Sequence, residues 1–242
     1  MKTVYTLLLL LFCAVITNAQ KITVFNSSNS NLPKYDAYDA SNLLVDAKGD
    51  VWMHIRGYGT YEYDGHEFTH IDTLDKYIYP RFADKEGNVW FENGSTIIKF
   101  DGKNWVKYAK EQTGIKNRVF TMSEAPSGKL YIGTSDGLYT FDGSHWEQFN
   151  LPNSDIYKYE IRGIEFGSAD EIFAGSSQGL LMFNGKEWKI LNEHNSKIPS
   201  SLILNIKYSP TGDLYICYTG GFSFVSKSNG INYDKNNLQL LN

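Results

Sequence analysis

Residues 128–143 read Gly-Lys-Leu-Tyr-Ile-Gly-Thr-Ser-Asp-Gly-Leu-Tyr-Thr-Phe-Asp-Gly, and Ser144-His145-Trp146 follow. Two short runs of apolar and aromatic residues flank Ser135-Asp136-Gly137, and the second run ends at Asp142-Gly143. Asp-Gly between such runs is a strong hairpin signal, because both residues tolerate positive φ. The stretch therefore predicts three consecutive antiparallel strands, with a fourth starting at Trp146.

The same pattern recurs on either side. Asp50-Val-Trp52, Asn88-Val-Trp90, Lys129-Leu-Tyr131, Glu171-Ile-Phe173 and Asp213-Leu-Tyr215 share the order polar, aliphatic, aromatic, and the aromatic positions lie 38, 41, 42 and 42 residues apart. Tyr63-Asp-Gly, Phe100-Asp-Gly, Phe141-Asp-Gly and Phe183-Asn-Gly follow in constant phase, each with Phe68, Trp105, Trp146 or Trp188 three residues on. Four antiparallel strands in a repeat of about 40 residues are the signature of a propeller blade. The expected fold is an all-β propeller of five four-stranded blades starting near 41, 78, 118, 160 and 202, with little helix. Trp52, Trp90, Trp105, Trp146 and Trp188 are expected between blades, since stacked sheets bury both faces.

The mature N-terminus bears on closure. Ile22-Thr-Val-Phe-Asn26 resembles the outer strands at Trp146 and Trp188, and Asn26 to Pro33 matches Asn192 to Pro199 nearly residue for residue. An outer strand that precedes any inner one belongs on the last blade, where it would close the ring and remove an open edge. Tyr233 to Asn242 resembles a competing outer strand, displaced by an insertion around 226–231. An open arc, or pairing with a second chain, is the alternative.

The first residues predict export. Lys2, the apolar run from Leu7 to Val15 and Thr17-Asn18-Ala19 describe a signal peptide over residues 1–19, cut after Ala19. The run is too short to span a bilayer, and Phe12 is too large for a lipid-attachment site at Cys13. Cys217 is then left alone, so stability comes from packing rather than disulfides, and its strand-like setting predicts a buried, inert thiol. A net charge of −4 with scattered Lys and Arg shows no basic face for nucleic acid.

The strings Asp84-Lys-Glu-Gly-Asn-Val-Trp90 with Lys99-Phe-Asp-Gly102, and residues 128–143, resemble the two-component regulator propeller repeat; the resemblance covers about 22–242. It implies a periplasmic or secreted propeller of the Bacteroidetes type. In the family such repeats form sensor regions of hybrid histidine kinases that recognise glycan fragments, and they also occur in stand-alone secreted proteins. The sensors carry more blades, a membrane span and a kinase, none of which is read in these residues. Blade four also departs, with Gly167 and Asp170 where blade two has Asp84 and Gly87. Gly87 to Phe91 further resembles blades of streptogramin-lyase propellers, whose mouth His has no counterpart on a matching motif here.

No catalytic centre, metal site or cofactor is expected. His66 and His70 read as hairpin and outer-strand residues, and zinc needs three or four converging ligands. Asp46 to Asp50 and Asp84 to Asn88 read as tight turns. Glu92, Asp136 and Glu160 are the acids that reach the axial mouth, where a glycosidase would need a carboxylate pair. The ligand-binding candidates stand on the outer-to-inner and second-to-third loops, or at the strand ends beside them: His54, Arg56, Tyr58, Tyr77, Tyr79, Arg81, Arg118, Arg162 and Tyr218. Tyr and Arg suit stacking on sugars or gripping a peptide. The expected function is non-catalytic binding of a glycan, peptide or protein partner, with a sensory role open. The alternatives are a lyase or glycosidase at the axial mouth, and a structural module of a cell-envelope complex.

Overall fold

The computed structural model describes residues 23–34, 40–149, 158–167 and 171–225. The expected signal peptide, the Gly167/Asp170 departure at its Asp170 position, and the insertion and strand at 226–242 lie outside the described residues. Blade one consists of β1 (Ala40–Val45), β2 (Val51–Ile55), β3 (Gly59–Tyr63) and β4 (Phe68–His70). Blade two holds β5 (Tyr79–Ala83), β6 (Val89–Asn93), β7 (Thr96–Phe100) and β8 (Trp105–Tyr108), followed by the short helix α1 (Lys110–Thr113). Blade three holds β9 (Val119–Glu124), β10 (Leu130–Thr134), β11 (Gly137–Phe141) and β12 (Trp146–Gln148). Blade four holds β13 (Ile161–Phe166), β14 (Ile172–Ser176), β15 (Gly179–Phe183) and β16 (Trp188–Leu191). Blade five has β17 (Ile203–Tyr208), β18 (Leu214–Tyr218) and β19 (Gly221–Val225). Every sheet is an antiparallel meander in chain order. This is a β-propeller.

The repeat is legible in its hydrogen bonds. The first turn of each blade closes between the N–H of Asp46, Asp84, Ala125, Gly167 or Ser209 and the carbonyl four residues on. The hairpins before the outer strands share another device. Asp64, Asp101, Asp142 and Asn184 each accept two backbone N–H groups through Oδ1, from the second and third residues after them. Those bonds hold the carboxyls of Asp64 and Asp101 below the usual range and bring Asp142 down to about 2.

Blades pack front to back, β1 on β5, β5 on β9, β9 on β13 and β13 on β17. Trp52 and Trp90 are buried in these junctions, as are Tyr131 and Phe173 at the equivalent positions. Trp105, Trp146 and Trp188 are half-buried and stack on, or tilt against, Phe100, Phe141 and Phe183 of the same hairpins. Glycine sets how closely two blades approach. A Cβ on Gly163 would lie 2.9 Å from the backbone nitrogen of Ile206 in blade five.

Two expectations need correction. The N-terminal segment does not close the ring among the described residues, where blade five is three-stranded and no packing comparable to the other junctions joins β17 to β1. Residues 23–34 instead lie against the outward face of blade one. Phe25 packs on Tyr63 and Phe68, Leu32 joins the Ile55–Tyr61–Phe68 cluster, and the Asn31 side chain bonds both backbone groups of Phe68. The reason is local: aromatic burial and a two-way amide bond are available on blade one itself. Cys217 is exposed rather than buried, because it projects from the face of blade five that no further blade covers.

The likeness between the N-terminus and residues 192–199 is a likeness of structure too. Asn26 and Asn192 each accept an N–H two residues on, and their own N–H groups donate to Asn29 and Asn195. The amides of Asn29 and Asn195 donate in turn to Val24 and Ile190. Ser30 and Ser196 donate back to the carbonyls of Asn26 and Asn192.

Candidate functional site: the axial mouth

The inner strands bring their first residues to the axis, and the loops before them stand at one end of the propeller with the second-to-third turns. A cavity of about 710 Å³ opens there, lined by Ser41 and Asn42 of blade one, Tyr79, Arg81 and Glu92 of blade two, and the approach to blade three at Lys116, Asn117 and Arg118. Asn42 has φ 56°, the left-handed conformation that Asn tolerates better than most residues, and it sits where β1 bulges against β2.

One ion pair stands in the wall, and a second lies in blade four. Arg81 donates to Glu92 Oε1 from Nη2 at 2.5 Å and from Nε at 3.1 Å. Glu92 is buried, and its other oxygen accepts the N–H of Gly94 at 2.6 Å, so both oxygens are occupied. Arg162 donates to Glu160 Oε2 at 2.6 and 3.2 Å. Phe120 lies beside the second pair. The guanidinium carbons of Arg118 and Arg162 stand 5.3 and 4.7 Å from its ring centroid, within cation–π range. The Arg81 guanidinium likewise stands 5.9 Å from the Tyr79 ring. Tyr79 with Arg81, and Phe120 with Arg118 and Arg162, thus each pair a flat ring with planar cations.

His54 is buried behind Tyr79, with ring centroids 4.2 Å apart. Burial holds its imidazole below the ordinary value, and the charge of Arg81 acts in the same direction against a hydrogen bond to the Ile78 backbone. Its Nδ1 has no hydrogen-bond partner. The neutral ring is a support for Tyr79, not a group presented to the cavity.

The nine residues expected from sequence divide. Tyr79, Arg81 and Arg118 line the cavity, with His54 behind Tyr79, and Arg162 lies against Phe120. Arg56 is exposed on the β2–β3 turn, and Tyr58 packs with the Ile55–Tyr61–Phe68 cluster. Tyr77 is exposed beside Lys76. Tyr218 bonds Ser223 and the carbonyl of Phe222 within blade five. Phe120 and Lys116 were not singled out from sequence; the signal for Phe120 was its equivalence to Tyr79 in the inner-strand alignment. Of the acids, Glu92 lines the cavity and Glu160 pairs with Arg162. Asp136 accepts from Thr134 and Tyr139 within its own turn. Burial, reinforced by Asp136, pushes the Tyr139 phenol up to about 12.

Among the described residues one acidic group is compact enough to share a cation. Oxygens of Asp46, Asp50 and Glu62 lie within 4.8 Å of one another at the opposite end of blade one. Asp46 already accepts the N–H groups of Lys48 and Asp50 and the indole of Trp52.

The fold and mouth define a β-propeller with a polar-aromatic axial cavity. Its relatives among solved structures share that architecture at low sequence identity. The chain aligns over 89% of its length with 31% of the extracellular domain of BT3049, a hybrid two-component system of B. thetaiotaomicron, at 19% identity and a TM-score of 0.70. Virginiamycin B lyase from Staphylococcus aureus matches 82% of this chain over 70% of its own, at 15% identity and a TM-score of 0.61. PorZ, a surface component of the type-IX secretion system of Porphyromonas gingivalis, matches 84% over 34% of its length, at 12% identity and a TM-score of 0.58. The chain therefore spans about a third of the extracellular domain it matches. No family model and no curated protein matches the sequence. No helix among the described residues is long and apolar enough to cross a membrane.

Proposed function

We propose that this chain is an exported, non-catalytic propeller that binds a glycan, peptide or protein ligand at its axial mouth. The observation that carries the reading is that Tyr79, Arg81 and Arg118 line one cavity, with Phe120 beside both Arg118 and Arg162. Rings offer apolar faces to sugars or side chains, and guanidinium groups offer directed donors. The fold shared with an extracellular sensor domain supports export and recognition. Catalysis at the mouth is less well supported. Glu92 has both oxygens engaged, by Arg81 and by the N–H of Gly94, and Glu160 holds the Arg162 guanidinium, so both carboxylates are already committed to partners in the chain.

Glycan-array and pull-down binding on the wild type, Tyr79→Ala/Arg81→Ala and Phe120→Ala/Arg162→Ala tests the reading. Both double variants are expected to lose at least tenfold in affinity for whatever the wild type captures. Unchanged capture by both would defeat it.

A structural role in an envelope assembly is the second reading, favoured by the exposed aromatic face of blade five.

A further inference from the structure

Four blade junctions are complete, and the chain carries both halves of a fifth. Trp52, Trp90, Tyr131 and Phe173 on the second strands are buried, and so are Thr60, Ile97, Leu138 and Leu180 near the start of the third. Their counterparts on blade five stand open, Tyr215 at 43% exposure and Phe222 at 71%. At the other end Leu43 is 68% exposed, whereas Met122, Ile164 and Ile206, which occupy its position in blades three to five, are buried. An apolar face of this kind on a terminal repeat marks an interface rather than a cap.

The two free faces present the positions that meet at the internal junctions, and at two of those junctions a glycine faces an isoleucine. A Cβ on Gly133 would lie 2.9 Å from Ile161 Cγ2, and one on Gly175 would lie 2.7 Å from Ile203 Cγ2. A position without a side chain thus receives a large one from the next blade. Cys217 takes the place of those glycines, and Ala40 takes the place of those isoleucines, so two small side chains would meet at that position. The outer halves also complement. β19 has no partner on its outer side among the described residues, and the outer-strand-like segment 23–26 waits on blade one. It is held there as Leu191 and Ile198 of blade four are held against blade five.

We propose that two copies of this chain join end to end, the outward face of blade five in one copy packing on the outward face of blade one in the other. Such an interface is heterologous, so repetition yields a closed ring or a filament according to its angle. Among the described residues β17 and β1 do not pack as the other inner strands do, which leaves both faces for a neighbour. The inference is independent of any ligand at the mouth.

Sedimentation of the wild type, Leu43→Glu and Phe222→Glu tests it, since both side chains are exposed and neither variant threatens the fold. The wild type is expected to gain mass with concentration, and each variant to weaken association at least tenfold. Mixing the two variants is expected to restore a one-to-one complex, because each retains the face the other has lost. A wild type that stays monomeric, or a mixture that does not associate, overturns the proposal. In a Cys13→Ser background, Ala40→Cys is expected to form a disulfide with Cys217 of another copy. The same bond formed within one chain would mean self-closure and would also overturn it.

Discussion

The indole N–H of Trp90 donates to Asp84 Oδ2 at 2.8 Å, and Trp52 makes the same bond to Asp46 at 3.0 Å. One carboxylate thus fixes both a tight turn and the ring that fills the junction to the next blade. Asp84 also accepts the backbone and side-chain N–H groups of Asn88. Asp84→Ala leaves the buried Asn88 and the indole short of acceptors and is expected to cost about 1.5–3 kcal/mol, read from urea denaturation. Asp84→Asn keeps one acceptor and should cost less; equal losses would count against the shared carboxylate.

Gly133 is needed for closeness rather than for an unusual backbone angle. A Cβ there would lie 2.5 Å from the carbonyl oxygen of Ile161 in blade four. Gly133→Val is expected to destabilise by about 1–3 kcal/mol, and a thermal shift below 1 °C would contradict this packing.

His54 predicts a pH dependence. Its folded-state value lies below the ordinary 6.5, so its contribution to stability is full above that pH and is lost as pH falls through the depressed value. The urea midpoint is expected to drop between pH 7.5 and pH 5, and to drop less in His54→Gln. Parallel curves for the two proteins would rule out the assignment.

Glu62 has the opposite sign. Burial, with Asp50 and Asp46 adding like charge, raises its carboxyl above the ordinary 4.5. Its ionised form is therefore disfavoured in the folded chain, and stability is lost as pH rises past 4.5 through the raised value. Glu62→Gln is expected to raise the melting temperature at pH 7, with the gain vanishing below pH 4. A lower melting temperature at pH 7 would instead point to a bound cation.

Much of the mouth was legible in sequence because inner-strand starts recur at fixed distances from the aromatic landmarks. Tyr79, Arg81, Arg118 and Arg162 fall within two residues of those starts. Arg56 and Tyr58 were expected from their place on a second-to-third loop, and the β2–β3 turn carries one outward and the other onto the outer half of blade one. Phe120 escaped because an aromatic in a strand reads as core, and only the alignment of blades shows that its strand begins at the axis. Cys217 was misjudged for a related reason: an apolar strand position is buried only if another sheet arrives to cover it.

The amino-acid order by itself determined the repeat, its turns and the strand order within each blade, since those rest on hydrogen bonds and φ preferences among residues a few positions apart. Tertiary structure decided which loop residues line the cavity and that, among the described residues, the fifth junction is open. Both depend on the rotation from one blade to the next, summed over four junction surfaces, and no local stretch of sequence carries that sum.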